Sequence, residues 1–185
     1  MSLKKLNHHI NSYKPIFDIK IMIKGFSDSA KMVLGSINAQ ALRFNHEYIE
    51  PEHILLSMLN PSEDFGIRFF DQYPLKKITI ELENSMRGGP DMVTQMKLPL
   101  TPRSKRSLGY AVGYSEFLEL DQICPEQILC GIVKEKENLG AQVLRKFGLD
   151  ESIIDREYES LRAKLKFNSL LKNLRFNTGS IYDII

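Results

Sequence analysis

One segment of this chain occurs twice, and that duplication limits the folds open to it. Ile49-Glu50-Pro51-Glu52-His53-Ile54-Leu55 returns 74 residues later as Ile123-Cys124-Pro125-Glu126-Gln127-Ile128-Leu129. Both copies keep an Ile-x-Pro-Glu-x-Ile-Leu frame, in which proline suits a first helical turn and the aliphatics begin a buried face. The same offset carries Lys31 to Lys105, Leu34 to Leu108, Gly66 to Gly140, Leu75 to Leu149 and Glu83 to Glu157, with no gap. Two copies of one small helical unit pack most simply as a pseudo-two-fold domain, each covering the other's apolar face.

Read in order, the chain predicts an all-α fold of two tandem four-helix repeats. Ser27 is placed to cap a helix carrying Ala30, Val33, Leu34, Ile37 and Ala41 at helical spacing and ending near Phe44. A second helix starts at Pro51, and a third runs from Gly66 to Tyr73, where Pro74 stops it. A fourth covers Leu75 to Met86. Gly88-Gly89-Pro90 breaks the pattern, and Thr101-Pro102 restarts a helix with a capping threonine and a proline at the first position. Helices over Pro125–Lys134, Gly140–Phe147 and Asp150–Lys166 complete the second copy. The expected organisation is an extension over 1–25, a first repeat over 26–87, a linker over 88–99, a second repeat over 100–162, and a C-terminal helix and tail over 163–185. In that last stretch Leu165, Leu170, Leu171 and Leu174 alternate with Lys and Arg, followed by the apolar Ser180–Ile185.

Composition narrows the function classes. A content of 43% hydrophobic and 26% charged residues can fill a core, and a net charge of +2 is too small to indicate nucleic acid. No uncharged apolar run reaches the length of a membrane span, and no secretory signal is legible at the start. Cys124 and Cys130 are too few for a disulfide framework. Six residues apart on one helix, they point to different faces, which fits reduced thiols and a cytoplasmic location.

With these residues in hand, the chain resembles the N-terminal domain of the Clp ATPases, the ring-shaped protein-unfolding machines. The first half offers Phe26-Ser27-Asp28-Ser29-Ala30, Tyr48 to Leu56 and Gly66. The second offers Leu100-Thr101-Pro102-Arg103-Ser104-Lys105, Ile123 to Leu129, Gly140-Ala141-Gln142-Val143-Leu144 and Phe147-Gly148-Leu149. The likeness covers about residues 26 to 162 and departs at Gln127, where the family usually has histidine. It implies a non-catalytic protein-interaction module that recognises adaptors or substrates for a Clp unfoldase or protease. The alternative is an assembly subunit that docks on a large complex through its C-terminal helix. The family's machines follow this domain with ATPase modules, but no G-x-x-x-x-G-K-[ST] phosphate loop occurs here. No ATP hydrolysis, other catalysis or cofactor is therefore expected of this chain.

Two acidic residues stand out as candidate recognition groups. Glu52 and Glu126 begin equivalent helices, where a carboxylate complements the helix dipole without further role. The resemblance supplies a second reading, since some Clp N-domains bind phosphorylated arginine with the glutamate of this motif on the guanidinium. The helix starts at Ser27 and Thr101 would then offer N–H groups to the phosphate, with Arg103, Lys31 and Lys105 adding positive charge. His53 beside Glu52 reads as a structural residue, because Gln127 replaces it in the other copy and side chains at adjacent helix positions diverge. No H-E-x-x-H or C-x-x-C spacing points to a metal. Cys130, aligned with Leu56, reads as a small buried hydrophobe, with no histidine in its repeat to activate it. The basic C-terminal segment reads as the solvated face of an amphipathic helix, so neither nucleic acid nor a membrane is an expected partner.

Overall fold

Serine, threonine and proline at the helix starts, and aliphatics at helical spacing behind them, dictate the architecture. A computed structural model describes residues 25–60, 71–89 and 97–163, together with His8. The helices are α1 (Asp28–Arg43), α2 (Pro51–Met58), α3 (Leu75–Ser85), α4 (Pro102–Phe117), α5 (Pro125–Lys134), α6 (Leu139–Lys146) and α7 (151–163). The 74-residue offset maps α1 onto α4 residue for residue and starts α2 and α5 in register. The expected helix over 66–73 falls mostly outside the described residues, and its end at Asp71–Tyr73 is a turn. Apart from Gly25 and His8, the expected extension lies outside them as well, as do the C-terminal helix and tail beyond 163.

At the centre are α2 and α5. In α2 every residue except Glu52 is buried, and in α5 every residue except Glu126. A helix apolar all round belongs inside a protein, and each of these two touches the other as well as α1, α4 and α6. Ile54, Leu55, Ile128 and Leu129 are completely buried, at equivalent positions of the two copies. The amphipathic helices α1, α3, α4, α6 and α7 surround this pair, turning Val33, Ile78, Leu108, Val143 and Ile154 inward.

The copies are tied by backbone as well as by side chains. Two isolated parallel bridges are the sole β-type pairing among the described residues, and each joins one copy to the other. Phe26, entering α1, pairs with Ile123, entering α5, and Ile49, entering α2, pairs with Leu100, entering α4. The Ser27 N–H donates to the Ile123 carbonyl at 3.0 Å and the Ile123 N–H to Gly25 at 2.8 Å. In the other bridge the Ile49 N–H donates to Pro99 at 2.8 Å and the Thr101 N–H to Ile49 at 3.1 Å. The pseudo-two-fold axis exchanges the two bridges.

Helix starts follow local chemistry. Ser27 accepts from the Ala30 N–H and Thr101 from the Ser104 N–H, both at 3.2 Å. Asn138, not anticipated from the sequence, caps α6 by accepting from Ala141 at 2.8 Å while donating to the Ile132 carbonyl at 2.8 Å. Asp150 accepts from the N–H groups of Ser152 and Ile153 at 2.9 and 3.1 Å, and so starts α7. These hydrogen bonds, with Ser152's hydroxyl first, hold its carboxyl below the usual range.

Gly131 sets the distance between α4 and α5. A Cβ there would sit 2.0 Å from the Ser107 carbonyl oxygen and 3.0 Å from the Ala111 nitrogen, both backbone atoms that cannot swing aside. The expected outcome for Gly131→Ala is a loss of about 1–3 kcal/mol in urea unfolding, as the two helices are forced apart. Gly35→Ala is the opposite case, because nothing lies within 4 Å of its Cβ inside α1. A gain of roughly 0.5–1 kcal/mol is expected there. Equal effects of the two substitutions would refute the close-approach account.

Candidate functional site

The cross-copy bridges decide which helix starts become neighbours. The Ile49–Leu100 bridge lays Glu50-Pro51-Glu52 beside Thr101-Pro102-Arg103, and the Phe26–Ile123 bridge lays Cys124-Pro125-Glu126 beside Ser27-Asp28-Ser29. Thus the segment carrying Glu52 lies beside the start of α4 and the segment carrying Glu126 beside the start of α1. The five residues singled out in the sequence are not brought into one pocket. They fall into two half-sites, one with Glu52, Thr101 and Arg103, the other with Glu126 and Ser27.

The half-sites differ chemically. In the first, the Thr101 hydroxyl donates to Glu50 Oε2 at 3.0 Å, and the Ser104 hydroxyl donates to the Ile49 carbonyl at 2.6 Å. A carboxylate of the protein itself therefore already occupies the start of α4. Glu52 is half-buried, and its carboxyl is held above the ordinary carboxylate value by burial first and then by Glu50, against a backbone hydrogen bond and the weaker pull of His46 and Arg103. Arg103 is exposed and reaches Glu137 only at 3.9 Å. In the second half-site Cys124 stands where Glu50 stands in the first, and Ser29 where Arg103 does. There the Ser27 hydroxyl, besides capping α1, lies 3.1 Å from the Ser29 hydroxyl.

Behind the first half-site, His46 lies between α1 and α2 and is linked to His53. The Glu50 N–H donates to His53 Nδ1 at 2.8 Å, His53 Nε2 lies 2.8 Å from His46 Nδ1, and His46 Nε2 lies 2.6 Å from the Arg87 carbonyl. A carbonyl only accepts and a backbone N–H only donates, so the protons are assigned. His46 carries its proton on Nε2, and His53 carries its own on Nε2 and gives it to His46 Nδ1. Two neutral imidazoles thus form one relay from the start of α2 to the segment leaving α3. Gly89 holds that segment down, its N–H donating to the Phe44 carbonyl at 2.8 Å.

In the second copy Gln127 performs the work of His53. Its Oε1 accepts from the Cys124 N–H at 2.7 Å and its Nε2 donates to the Tyr158 hydroxyl at 2.9 Å. Tyr158 packs edge-on to Tyr114, whose hydroxyl donates to Asp155 at 2.9 Å. Cys130 sits fully buried beside this cluster, and burial pushes its thiol up, away from the thiolate a nucleophile needs. Both cysteines are free thiols. Among the described residues no three histidine, cysteine, aspartate or glutamate side chains converge to hold a metal ion, and no helix is long and apolar enough to cross a membrane.

Comparison with known proteins agrees with this geometry. The Clp repeat (R) N-terminal domain family matches residues 25–166. Among curated relatives, an ATP-dependent Clp protease ATP-binding subunit ClpA homolog of Cyanidium caldarium is 30% identical over 133 residues, which are 71% of this chain and 16% of that protein. The negative regulator of genetic competence ClpC/MecB of Bacillus subtilis is 29% identical over 131 residues, 70% of this chain and 16% of that protein. The chain thus spans about a sixth of the length of the curated relatives it matches. Among solved structures, the N-domain of ClpV from Vibrio cholerae superposes with a TM-score of 0.65 at 14% identity, covering 81% of this chain and 93% of that one. The N-terminal domain of ClpD from Arabidopsis thaliana gives 0.55 at 17%, covering 74% and 96%. At these identities the superpositions establish the fold.

The histidine relay makes stability depend on pH. Burial, and then His46, lowers the His53 pKa from 6.5 to about 3. The unfolded chain binds a proton on His53 near pH 6.5 that the folded chain refuses until about pH 3. Its contribution is therefore complete above pH 6.5 and is lost as pH falls, by at most about 1.4 kcal/mol per unit. Glu52 acts in the opposite direction, since its raised carboxyl is protonated more readily in the folded chain. Urea unfolding from pH 7.5 to 4.5 should show a shallower loss for His53→Gln than for the wild type. The glutamine keeps the bond to Glu50, as Gln127 does for Cys124, and does not titrate. His53→Ala should cost about 1–2 kcal/mol at pH 7.5 through the lost cap. Parallel pH profiles for the wild type and His53→Gln would refute the relay.

Proposed function

Because the chain belongs to the Clp repeat (R) N-terminal domain family, we propose that it is a non-catalytic recognition module that presents adaptor or substrate proteins to a Clp-type unfoldase. The observation behind this reading is the pairing of helix starts across the pseudo-two-fold axis. Each half-site combines a half-buried glutamate on one copy with a hydroxyl-capped helix start on the other. A carboxylate beside a helix N-terminus suits a ligand group that is cationic at one end and anionic at the other. Phosphoarginine is such a group, its guanidinium facing the glutamate and its phosphate the helix start. A complex of a ClpV N-domain with a VipB peptide is among the structural relatives, with a TM-score of 0.61 at 13% identity and coverage of 81% of this chain and 95% of that one. Peptide capture by this fold is therefore a natural function for the chain.

The two half-sites are not equivalent in this role. Glu50 already takes the Thr101 hydroxyl and repels an incoming phosphate from the start of α4. The second half-site has a cysteine in place of that carboxylate, so Glu126 with Ser27 is the better site for a phosphorylated guanidinium. The first, with Glu50 and Glu52 side by side, suits an unmodified basic side chain.

Titration calorimetry with free phosphoarginine tests this. Saturable binding is expected for the wild type, with Glu126→Ala losing more affinity than Glu52→Ala and the double variant showing none. Loss of the charge-assisted hydrogen bonds should cost about 1.5–3 kcal/mol. No saturable binding to the wild type, or equal binding to all four proteins, would overturn the reading.

A further inference from the structure

A second surface adjoins the first half-site through Arg103 and is lined by residues of the second copy alone. The start of α4, the α5–α6 loop and the outer face of α6 enclose an open cleft of about 770 Å³, lined by Arg103, Lys136, Glu137, Gln142, Arg145 and Lys146. The volume is of ligand-site size, but the lining has no aliphatic anchor and no aromatic ring, which leaves a nucleic-acid base nothing to stack on. Four cations face one carboxylate.

Two features separate this charge from ordinary surface decoration. Arg145 and Lys146 stand in the last turn of α6, where cations complement the helix dipole, but Arg103 and Lys136 come from other elements and have no such reason to converge. The repeat also does not keep the charge. At the 74-residue offset, Ser29, Ser62, Asp71 and Gln72 occupy the positions of Arg103, Lys136, Arg145 and Lys146. The aligned positions of the first copy thus carry neutral or acidic residues in all four places.

The present ion pairs leave the cations available. Arg103 meets Glu137 at 3.9 Å with both side chains well exposed, Lys146 meets the partly exposed Glu81, and Lys136 shares Glu151 with Lys134. The Arg103–Glu137 and Lys146–Glu81 pairs are solvent-exposed and weak, so incoming carboxylates can replace them at little cost. Asn138 caps the start of α6, accepting from the Ala141 N–H, and the four cations stand on the start of α4, the α5–α6 loop and the last turn of α6. This spread suits carboxylates spaced along an extended chain.

We propose that this cleft docks an acidic, extended segment of a partner protein. The surface shares only Arg103 with the first half-site, and its test leaves Glu52, Glu126, Ser27, Thr101 and Arg103 untouched. The probe is a short fluorescein-labelled peptide of alternating Glu and Ser, titrated with the full chain at low salt and followed by fluorescence anisotropy. Saturable binding is expected, weakened roughly tenfold or more by Arg145→Asp/Lys146→Gln, which installs the first copy's residues, and unchanged by Lys76→Glu/Lys97→Glu at exposed positions outside the cleft. Should the first variant fail to show cooperative thermal unfolding, Lys136→Ser, at an exposed position that aligns with Ser62, takes its place with the same expectation. Raising the salt should weaken wild-type binding steeply. Absence of saturable binding, equal losses in the cleft and control variants, or equally tight binding of a single-stranded oligonucleotide would each overturn the proposal.

Discussion

The structure depends on two pairs of backbone hydrogen bonds that cross from one copy of the repeat to the other. A helical unit of this size cannot bury its own apolar face, and α2 and α5 are apolar on nearly every side. Each needs a partner copy at a fixed distance and orientation. The Phe26–Ile123 and Ile49–Leu100 bridges supply that reference, since each binds the residue just ahead of a central helix to the residue just ahead of the other copy's outer helix. Packing of Ile54, Leu55, Ile128 and Leu129 then closes the core. Backbone bonds suit this role because they are directional, whereas apolar contact alone tolerates sliding.

The same bridges make the candidate sites. A glutamate at the second position of α2 or α5 is unremarkable within its own helix. It acquires a neighbouring hydroxyl-capped helix start only because the bridge brings the opposite copy alongside. Duplication followed by divergence then gives two half-sites of different character from one plan. Glu50 against Cys124, and Arg103 against Ser29, change the charge around equivalent glutamates without altering the backbone that holds them. The basic cleft extends this pattern, since the aligned residues of the first copy are neutral or acidic.

Beneath the divergence, some exchanges preserve a physical task. His53 and Gln127 look like a lost motif residue when only identity is compared, yet both accept a hydrogen bond from the backbone N–H three residues earlier. Their outer nitrogens then take different partners, His46 in one copy and Tyr158 in the other. Histidine brings a pH response with it, and glutamine does not.

Much of the fold was legible because its signals are local. Ser27, Thr101, Pro51 and Pro125 mark helix starts through their own side chains, and the aliphatic spacing behind them marks the buried faces. The duplication showed that two such units must cover each other. Asn138 and Asp150 are capping residues of the same kind, and attention to Asn and Asp ahead of apolar runs would have found them. What the sequence could not give was any relation between residues brought together from different copies. The division of Glu52, Glu126, Ser27, Thr101 and Arg103 into two half-sites, the occupation of the α4 start by Glu50, the His53–His46–Arg87 relay and the convergence of Arg103 with α6 are all long-range. Local propensity depends on neighbours a few residues away, so the sequence by itself determined the helices, their starts and their pairing into two copies. Which side chains meet depends on how those helices are set against one another, and only the bridges and the packing of α2 on α5 decided that.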